Sequence, residues 1–321
     1  MIRFLLSRLL QALAVLAVMS FVIYALIGLM PGDPIDLMIS SNPKISSEDA
    51  ARLRALQGLD QPLLGRYTNW VVSAFSGDFG YSRLLSKPVF QAIRPAFINT
   101  LQLMSVVFVL SLLIALPLGV LASRRPRSKL DYSINLVAFA GVSVPPFWLA
   151  ILLIILFSVT LGWLPAGGVA MDNNADFFEK TKYFIMPVVA LTIANIGSHT
   201  RYMRASMIET LKSDYIRTAK AKGVPEKKIM LGHALRNALI PVVTIIALDF
   251  GNIFSGALIT ETVFSIPGMG KLIYDAIMGN DINLALVALL FATFMTLTGN
   301  FIADIAYVAL DPRLSFSGQK K

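Results

Sequence analysis

Two histidines, His199 and His233, and no cysteine make up the imidazole and thiol stock of this 321-residue chain. Thiolate nucleophiles, disulfides and Cys-based metal sites are therefore excluded. A histidine metal site would need carboxylates that the sequence does not place beside either ring. Ser198-His199 sets a hydroxyl next to a base, but adjacent side chains on a helix do not face each other, and no neighbouring acid is there to orient the imidazole. Gly268-Met269-Gly270-Lys271 looks like the end of a phosphate-binding loop; Ser265 holds the place of the required earlier Gly, and Leu272 that of the Ser or Thr. No catalytic set, metal site or bound cofactor is expected, and the chain should not bind ATP itself.

What remains is a concentration of cations. Between Arg201 and Pro241 stand nine Lys or Arg residues: Arg201, Arg204, Lys212, Arg217, Lys220, Lys222, Lys227, Lys228 and Arg236. Ser213 or Asp214 can cap a new helix by accepting a hydrogen bond from a following N–H. Tyr215–Lys222 then forms a short helix, and Gly223 can take the left-handed conformation that ends it. Pro225 suits the first turn of the next helix, with Glu226 favourable near its positive end. The spacing predicts a short helix laid across the connection between two longer ones, too short to be stable without packing. Asp214, Tyr215, Arg217, Ala219, Lys222 and Gly223 are the candidate partner-contacting residues. His233, Arg236, Asn237 and Pro241 are read as bracing the loop. Attraction to anionic lipid headgroups, worth about 1 kcal/mol per cation, would also favour basic residues here, but it needs neither a Gly-Val-Pro turn nor a second ordered segment at His233–Pro241.

The elements that must position this segment are membrane helices. The chain is 56% hydrophobic and 15% charged, with mean hydropathy +0.69 and net charge +9. Its cations flank apolar runs, a topology signal rather than a nucleic-acid footprint. A bilayer core of about 30 Å needs roughly 20 apolar helical residues, and six segments qualify: 9–30, 99–122, 133–161, 183–204, 240–263 and 284–308. Arg3 and Arg8 precede the first, whose apolar run exceeds the roughly 7–15 residues of a signal peptide and lacks a small-x-small cleavage site, so an uncleaved signal anchor is expected. With six spans both termini share a side. That side, counting the cationic end of the fourth span, carries 18 of the 28 Lys and Arg residues, including Arg124-Arg125-Pro126-Arg127, and is assigned to the cytoplasm. The expected organisation is an N-terminal anchor helix and long outer loop over 1–98, a core membrane domain over 99–308 with its cytoplasmic loop at 205–239, and a cytoplasmic tail over 309–321. Pro117, Pro145-Pro146 and Pro187 interrupt three spans and should kink or open them locally.

Asp249 falls well inside the fifth span. A centred Asp costs roughly 2.5–3.5 kcal/mol on insertion scales, so it should face protein or water. Two readings stay open: a pathway-lining group favouring cationic or amine-bearing solutes, and a carboxylate bonded between helices near Asn252. Ala247, Gly251 and Ser255 recur every four positions and favour close helix contact. Asp304, nearer the cytoplasm, is read as structural.

Asp214-Tyr215-Ile216-Arg217-Thr218-Ala219-Lys220-Ala221-Lys222-Gly223, followed by His233-Ala234-Leu235-Arg236-Asn237-Ala238-Leu239-Ile240-Pro241, resembles the coupling loop of ABC-importer inner-membrane permeases, and within them the dipeptide/oligopeptide/nickel branch. The general loop opens Glu-Ala-Ala before its Gly; Arg217-Thr218-Ala219 stands in those places here, a departure that the peptide branch shares. The start of the chain with Pro31-Gly32-Asp33-Pro34, then Gly58-Leu59-Asp60-Gln61-Pro62, Gly77-Asp78-Phe79-Gly80-Tyr81-Ser82, Thr260–Gly270 and Leu310-Asp311-Pro312-Arg313, is similar to the first of the two paired permeases of that branch. The resemblance implies an all-α polytopic protein of the bacterial inner membrane that moves short peptides or a related solute. It also implies a sibling permease as heterodimer partner, two ATPase subunits that carry ATP and Mg and grip the short helices, and an external solute-binding protein. Glu261, at the outer end of the fifth span, is then a candidate for the outer gate or for docking the binding protein, and Asp249 and Asn252 are candidates for the pathway.

Two other function classes compete. A secondary transporter would more often show internal repeats and several intramembrane charges, and a membrane-embedded hydrolase would need a nucleophile with its base or a metal cluster. Both would act without an ATPase.

Overall fold

Long runs of Leu, Ile, Val, Ala and Met dictate helices here, because a chain crossing lipid must satisfy its backbone groups internally. The computed structural model describes residues 2–29, 46–56, 61–170, 176–253 and 257–310. Pro31–Pro34, Gly58–Asp60, Ser255 and Asp311–Arg313 lie outside the described residues. The helices are α1 (Ile2–Gly28), α2 (Ser47–Leu56), α3 (Leu63–Phe75), α4 (Val89–Arg124), α5 (Lys129–Ser143), α6 (Pro146–Leu153), α7 (Phe177–Leu211), α8 (Asp214–Ala221), α9 (Glu226–Lys228), α10 (Leu235–Asn252), α11 (Leu258–Val263), α12 (Met269–Met278) and α13 (Ile282–Leu310). Wider π-helical turns extend α6 through Ile154–Thr160 and join α9 to α10 through Ile229–Ala234. A two-stranded antiparallel hairpin, β1 (Tyr81–Ser82) with β2 (Lys87–Pro88), precedes α4.

Among the described residues, five helices are long and apolar enough to cross a membrane: Leu5–Gly28, Val89–Arg124, Phe177–Leu211, Glu226–Gly251 and Ile282–Ile305. A sixth crossing exists if α5 and the α6 unit count as one span, although they meet at 93°. The expected continuous helix over 133–161 is thus a broken pair. The reason is steric: a residue before proline is pushed out of the helical region, and Val144 and Pro145, each followed by a proline, are both extended (ψ 121° and 131°). Pro117 and Pro187, by contrast, sit inside helices that continue through them. One missing N–H is tolerated where neighbouring turns and helices hold the segment.

The fifth span also differs from its expected bounds of 240–263. Its helical run starts at Glu226, because the π turn carries α9 straight into α10, and it ends at Asn252; Leu258–Val263 is a separate short helix.

Contacts fix the relative directions. Leu103 and Val107 of α4 share a core with Met186 and Leu191 of α7, and Gly119 of α4 lies against Met203 of α7, so these two helices run parallel. α5 runs antiparallel to α7: Gly141 faces the Ile193 carbonyl and Gly197 the Ala138 carbonyl, where a Cβ on Gly197 would come within 2.2 Å of that oxygen. Backbones this close require the missing side chain. α1 and α13 are antiparallel, with Arg8 Nε 3.3 Å from Asp304 Oδ2 at one end and Ile23 and Ile27 in one core with Leu284 and Leu286 at the other.

Candidate coupling site

The short helix α8 forms where the sequence places it, between α7 and α9. α7 continues unbroken to Leu211 and turns at Lys212-Ser213. Ser213 is the residue before α8, but its hydroxyl points backward and donates to the Thr210 carbonyl at 2.6 Å; the expected side-chain cap is not made. Asp214 instead pairs with Arg217 one turn on, Oδ1 to NH1 at 3.3 Å, with both side chains exposed.

The C-terminal end of α8 is closed by a Schellman arrangement. Gly223 has φ +75°, its N–H donates to the Lys220 carbonyl, and the Val224 N–H reaches back to the Ala219 carbonyl. Half-buried Ala219 and Val224 pack with the same core, which is the apolar contact such an ending recruits. Pro225 then precedes α9.

One side chain anchors α8. Ile216 is fully buried in a core with Met203 and Met207 of α7, Ile229, Met230 and Ala234 of the π turn, and Ala238 and Val242 of α10. Tyr215, Arg217, Thr218 and Lys222 are exposed. The same core joins α7 to α10, and Ser206 Oγ donates to the Ala238 carbonyl at 2.6 Å. A displacement applied to the exposed face of α8 is therefore carried into both long helices through one packed cluster. Beside it opens a cleft of about 480 Å³, with Arg124, Lys212, Lys220 and Glu226 in its wall.

The residues expected to brace the loop and the residues packed on α8 alternate along the chain. His233, Arg236, Asn237 and Pro241 are exposed, and the Asn237 amide donates to its own helix at the His233 carbonyl. The packing against α8 comes from the residues interleaved with them: Met230, Ala234, Ala238 and Val242. Their four-residue spacing was visible in the sequence, masked by the eye-catching polar positions. A second support joins the helix ends nearby: buried Asp131 of α5 receives Arg204 Nε and NH2 of α7 at 2.6 Å each, plus the Arg127 N–H at 2.8 Å. Arg204 is thus committed to a bidentate clamp.

Asp249 and His199 meet across α10 and α7, with Nε2 3.1 Å from Oδ2. The acid that the local sequence does not offer to His199 comes from another helix. The Ser198 hydroxyl donates to the Asn195 carbonyl at 3.0 Å and lies 3.5 Å from His199 Nδ1, which itself faces that carbonyl at 3.0 Å, so the hydroxyl's shorter contact is to the main chain and not to the ring. Asn252 ends α10, and its side chain lies outside what the structure describes.

Glu261 does not stand at the end of the fifth span. It is fully buried on α11, where its carboxylate accepts from Thr100 Oγ1 of α4 at 2.7 Å and from the Lys271 N–H at 3.1 Å. Thr100 in turn accepts from the Met269 N–H at 2.7 Å. Gly268 and Gly270 make room for it: a Cβ at Gly268 would lie 2.4 Å from the carboxyl carbon. The Gly-Met-Gly segment is the cradle of a carboxylate of its own chain. Asp281 does similar work at the start of α13, accepting from Ser82 Oγ (2.7 Å), the Leu84 N–H (2.9 Å) and the Leu284 N–H (3.1 Å), and so pins the β1–β2 hairpin.

Comparison with known proteins agrees along the whole chain. A family model described as binding-protein-dependent transport system inner membrane component matches residues 115–316, and one described as the N-terminal part of such membrane components matches residues 1–108. The chain is 36% identical over 318 residues to the oligopeptide transport system permease protein AppB of Bacillus subtilis (strain 168), covering 98% of this chain and 100% of that protein. It is 34% identical over 313 residues to the di/tripeptide transport system permease protein DppB of Pseudomonas aeruginosa (strain UCBPP-PA14), covering 91% and 92%. Among solved structures, an inward-facing form of the MetNI methionine ABC transporter superposes with a TM-score of 0.55 at 19% identity, over 67% of this chain and 94% of that one, a likeness of fold alone.

Proposed function

Since this chain belongs to the family of binding-protein-dependent transport system inner membrane components, we propose that it is a pathway-forming permease subunit of an ATP-driven importer of di- and oligopeptides. The observation that carries the reading is full-length similarity to peptide permeases, at 36% identity over 98% of the chain. The short helix α8, held by one apolar anchor with its charged face outward, supports a coupling role. Asp214, Tyr215, Arg217, Lys222 and Gly223 lie on that face, and Ala219 packs beneath it. The partners are two ATPase subunits bearing ATP and Mg, a sibling permease and an external solute-binding protein.

The topology we propose has six crossings with both termini in the cytoplasm. Parallel α4 and α7 support it, because the α5–α6 unit between them must then return across the bilayer. The Arg8–Asp304 contact supports a common side for the two chain ends. The excess of Lys and Arg on that side supports its being the cytoplasm.

The test is purification of the assembled complex from its native membrane, reconstitution in vesicles, and ATP-driven uptake of a labelled tripeptide delivered by its binding protein. Accumulation that requires ATP and the ATPase subunits is the expected result. Uptake by this chain without an ATPase would overturn the reading in favour of a secondary transporter.

A further inference from the structure

The His199–Asp249 pair lies deep in the membrane. Ser206 and Ala238 meet where α7 and α10 leave the coupling site. From that contact His199 is about two turns and Asp249 about three turns farther along their helices, roughly 10 and 16 Å at 1.5 Å per residue. That is close to the middle of an apolar core of about 30 Å.

The two partners are unequally covered. His199 is buried, with only 4% of its side chain exposed, whereas Asp249 keeps 39% exposed. His199 Nδ1 lies 3.0 Å from the Asn195 oxygen and 3.5 Å from Ser198 Oγ. The ring is thereby held with Nε2 toward Oδ2 of Asp249 and cannot swing to cover the rest of the carboxylate. A carboxylate offers about four acceptor positions, and His199 Nε2 approaches Oδ2 alone. Lipid offers no donor for the remainder, so facing it into hydrocarbon is costly. In the assembled transporter the open edge of Asp249 faces water or another polar group.

We propose that Asp249 is the mid-membrane contact for the protonated amino group of the solute in transit, with His199 as the positioning residue that keeps the carboxylate aimed into the path. This rests on the peptide-importer reading. A peptide's terminal ammonium is compact and carries three donors, which suits the open edge of a carboxylate. The site requires no change in His199 when the solute passes. A carboxylate approached by the ring on one oxygen and open on the other can hold a cation briefly without trapping it.

The native chain has no cysteine, which permits a test independent of activity. Ile245 lies one turn before Asp249 on the same face. In the complete transporter with cysteine-free partner subunits, Ile245→Cys is labelled with a cationic and an anionic water-soluble thiosulfonate. The expected result is about tenfold faster reaction with the cationic reagent, the focusing effect of a negative group in a low-dielectric cleft, and loss of that preference on adding Asp249→Asn. In uptake assays without the cysteine, Asp249→Asn should slow ATP-driven entry of a tripeptide with a free amino end by tenfold or more, and His199→Gln by only about threefold.

No labelling, or a reagent preference that Asp249→Asn leaves unchanged, overturns the site. Equal uptake losses in Asp249→Asn and His199→Gln, with matching drops in thermal stability, would make the pair a helix tie and overturn it too. If the wild-type complex takes up no tripeptide yet the reagent preference shifts as expected, the peptide reading fails while a cation site stands.

Discussion

The two ends of the bundle are fastened by opposite kinds of chemistry. At the coupling end, α8 is docked by Ile216 and a bed of methionine, isoleucine and alanine, with its polar atoms turned outward. At the other end, α11, the Gly-Met-Gly segment and the β hairpin are held by two buried carboxylates, Glu261 and Asp281, through directional hydrogen bonds to main-chain N–H groups and hydroxyls. Apolar packing is non-directional and methionine repacks readily, so the bed beneath α8 holds it without directional side-chain bonds. A buried carboxylate tolerates no such play, because a donor or acceptor left unpaired costs its full desolvation. One end is packed without directional ties and the other is pinned by them.

The sharpest way to break the contrast is at the turn that ends α8. Gly223→Pro replaces a φ of +75° with one near −65° and deletes the N–H that bonds Lys220, at a cost of about 3 kcal/mol or more. The expected outcome is a complex that assembles poorly with its ATPases and loses ATP-driven uptake; normal uptake would remove the turn from the coupling mechanism. Glu261→Ala comes next. It strips Thr100 and the Lys271 N–H of their acceptor and should destabilise the detergent-solubilised chain by about 3 kcal/mol, seen as a lower Tm, with Glu261→Gln losing less.

Ile216→Ala sharpens the comparison from the other side. Removing a fully buried isoleucine costs roughly 2–4 kcal/mol of packing, but here the loss is confined to the docking of one short helix. ATP hydrolysis should continue while uptake falls several-fold, a split measured by assaying both in the same vesicles. If hydrolysis and uptake fall together, α8 is needed for ATPase binding rather than for transmission. The smallest structural effect belongs to Arg217→Gln. The Arg217–Asp214 pair is exposed, and such pairs add little to stability. Tm should not move, whereas ATPase affinity should weaken and lose part of its salt dependence, as read from binding at low and high ionic strength.

The α8 segment was legible because its signals are local. A left-handed glycine, a following proline and a short amphipathic stretch act within a few residues, and the structure shows the Schellman ending that Gly223 implies. Its bracing was less so. His233, Arg236 and Asn237 draw attention as polar groups, yet the apolar residues between them pack on α8, since an anchor of Ile216 type needs a non-polar bed. The surroundings of Glu261 were hidden for a related cause. Glu261 was placed at the tip of a span as a candidate gate or docking residue; α10 stops at Asn252, and the carboxylate is folded inward against Thr100, distant in sequence, and the nearby Gly268 and Gly270.

By itself the sequence determined the helical class, the approximate places of the apolar runs, the likeness to peptide permeases and the short helix with its glycine stop. These follow from hydropathy, charge placement and turn chemistry, all of which act over short stretches of chain. Only the tertiary structure decided that the third apolar run breaks by 93° at Pro145-Pro146, that Arg204 belongs to Asp131, that Glu261 is a buried clip and that Asp249 meets His199. Each of these depends on which helix lies beside which. A buried charge takes its partner from whatever neighbour the packing supplies, and that neighbour sits tens of residues away in sequence.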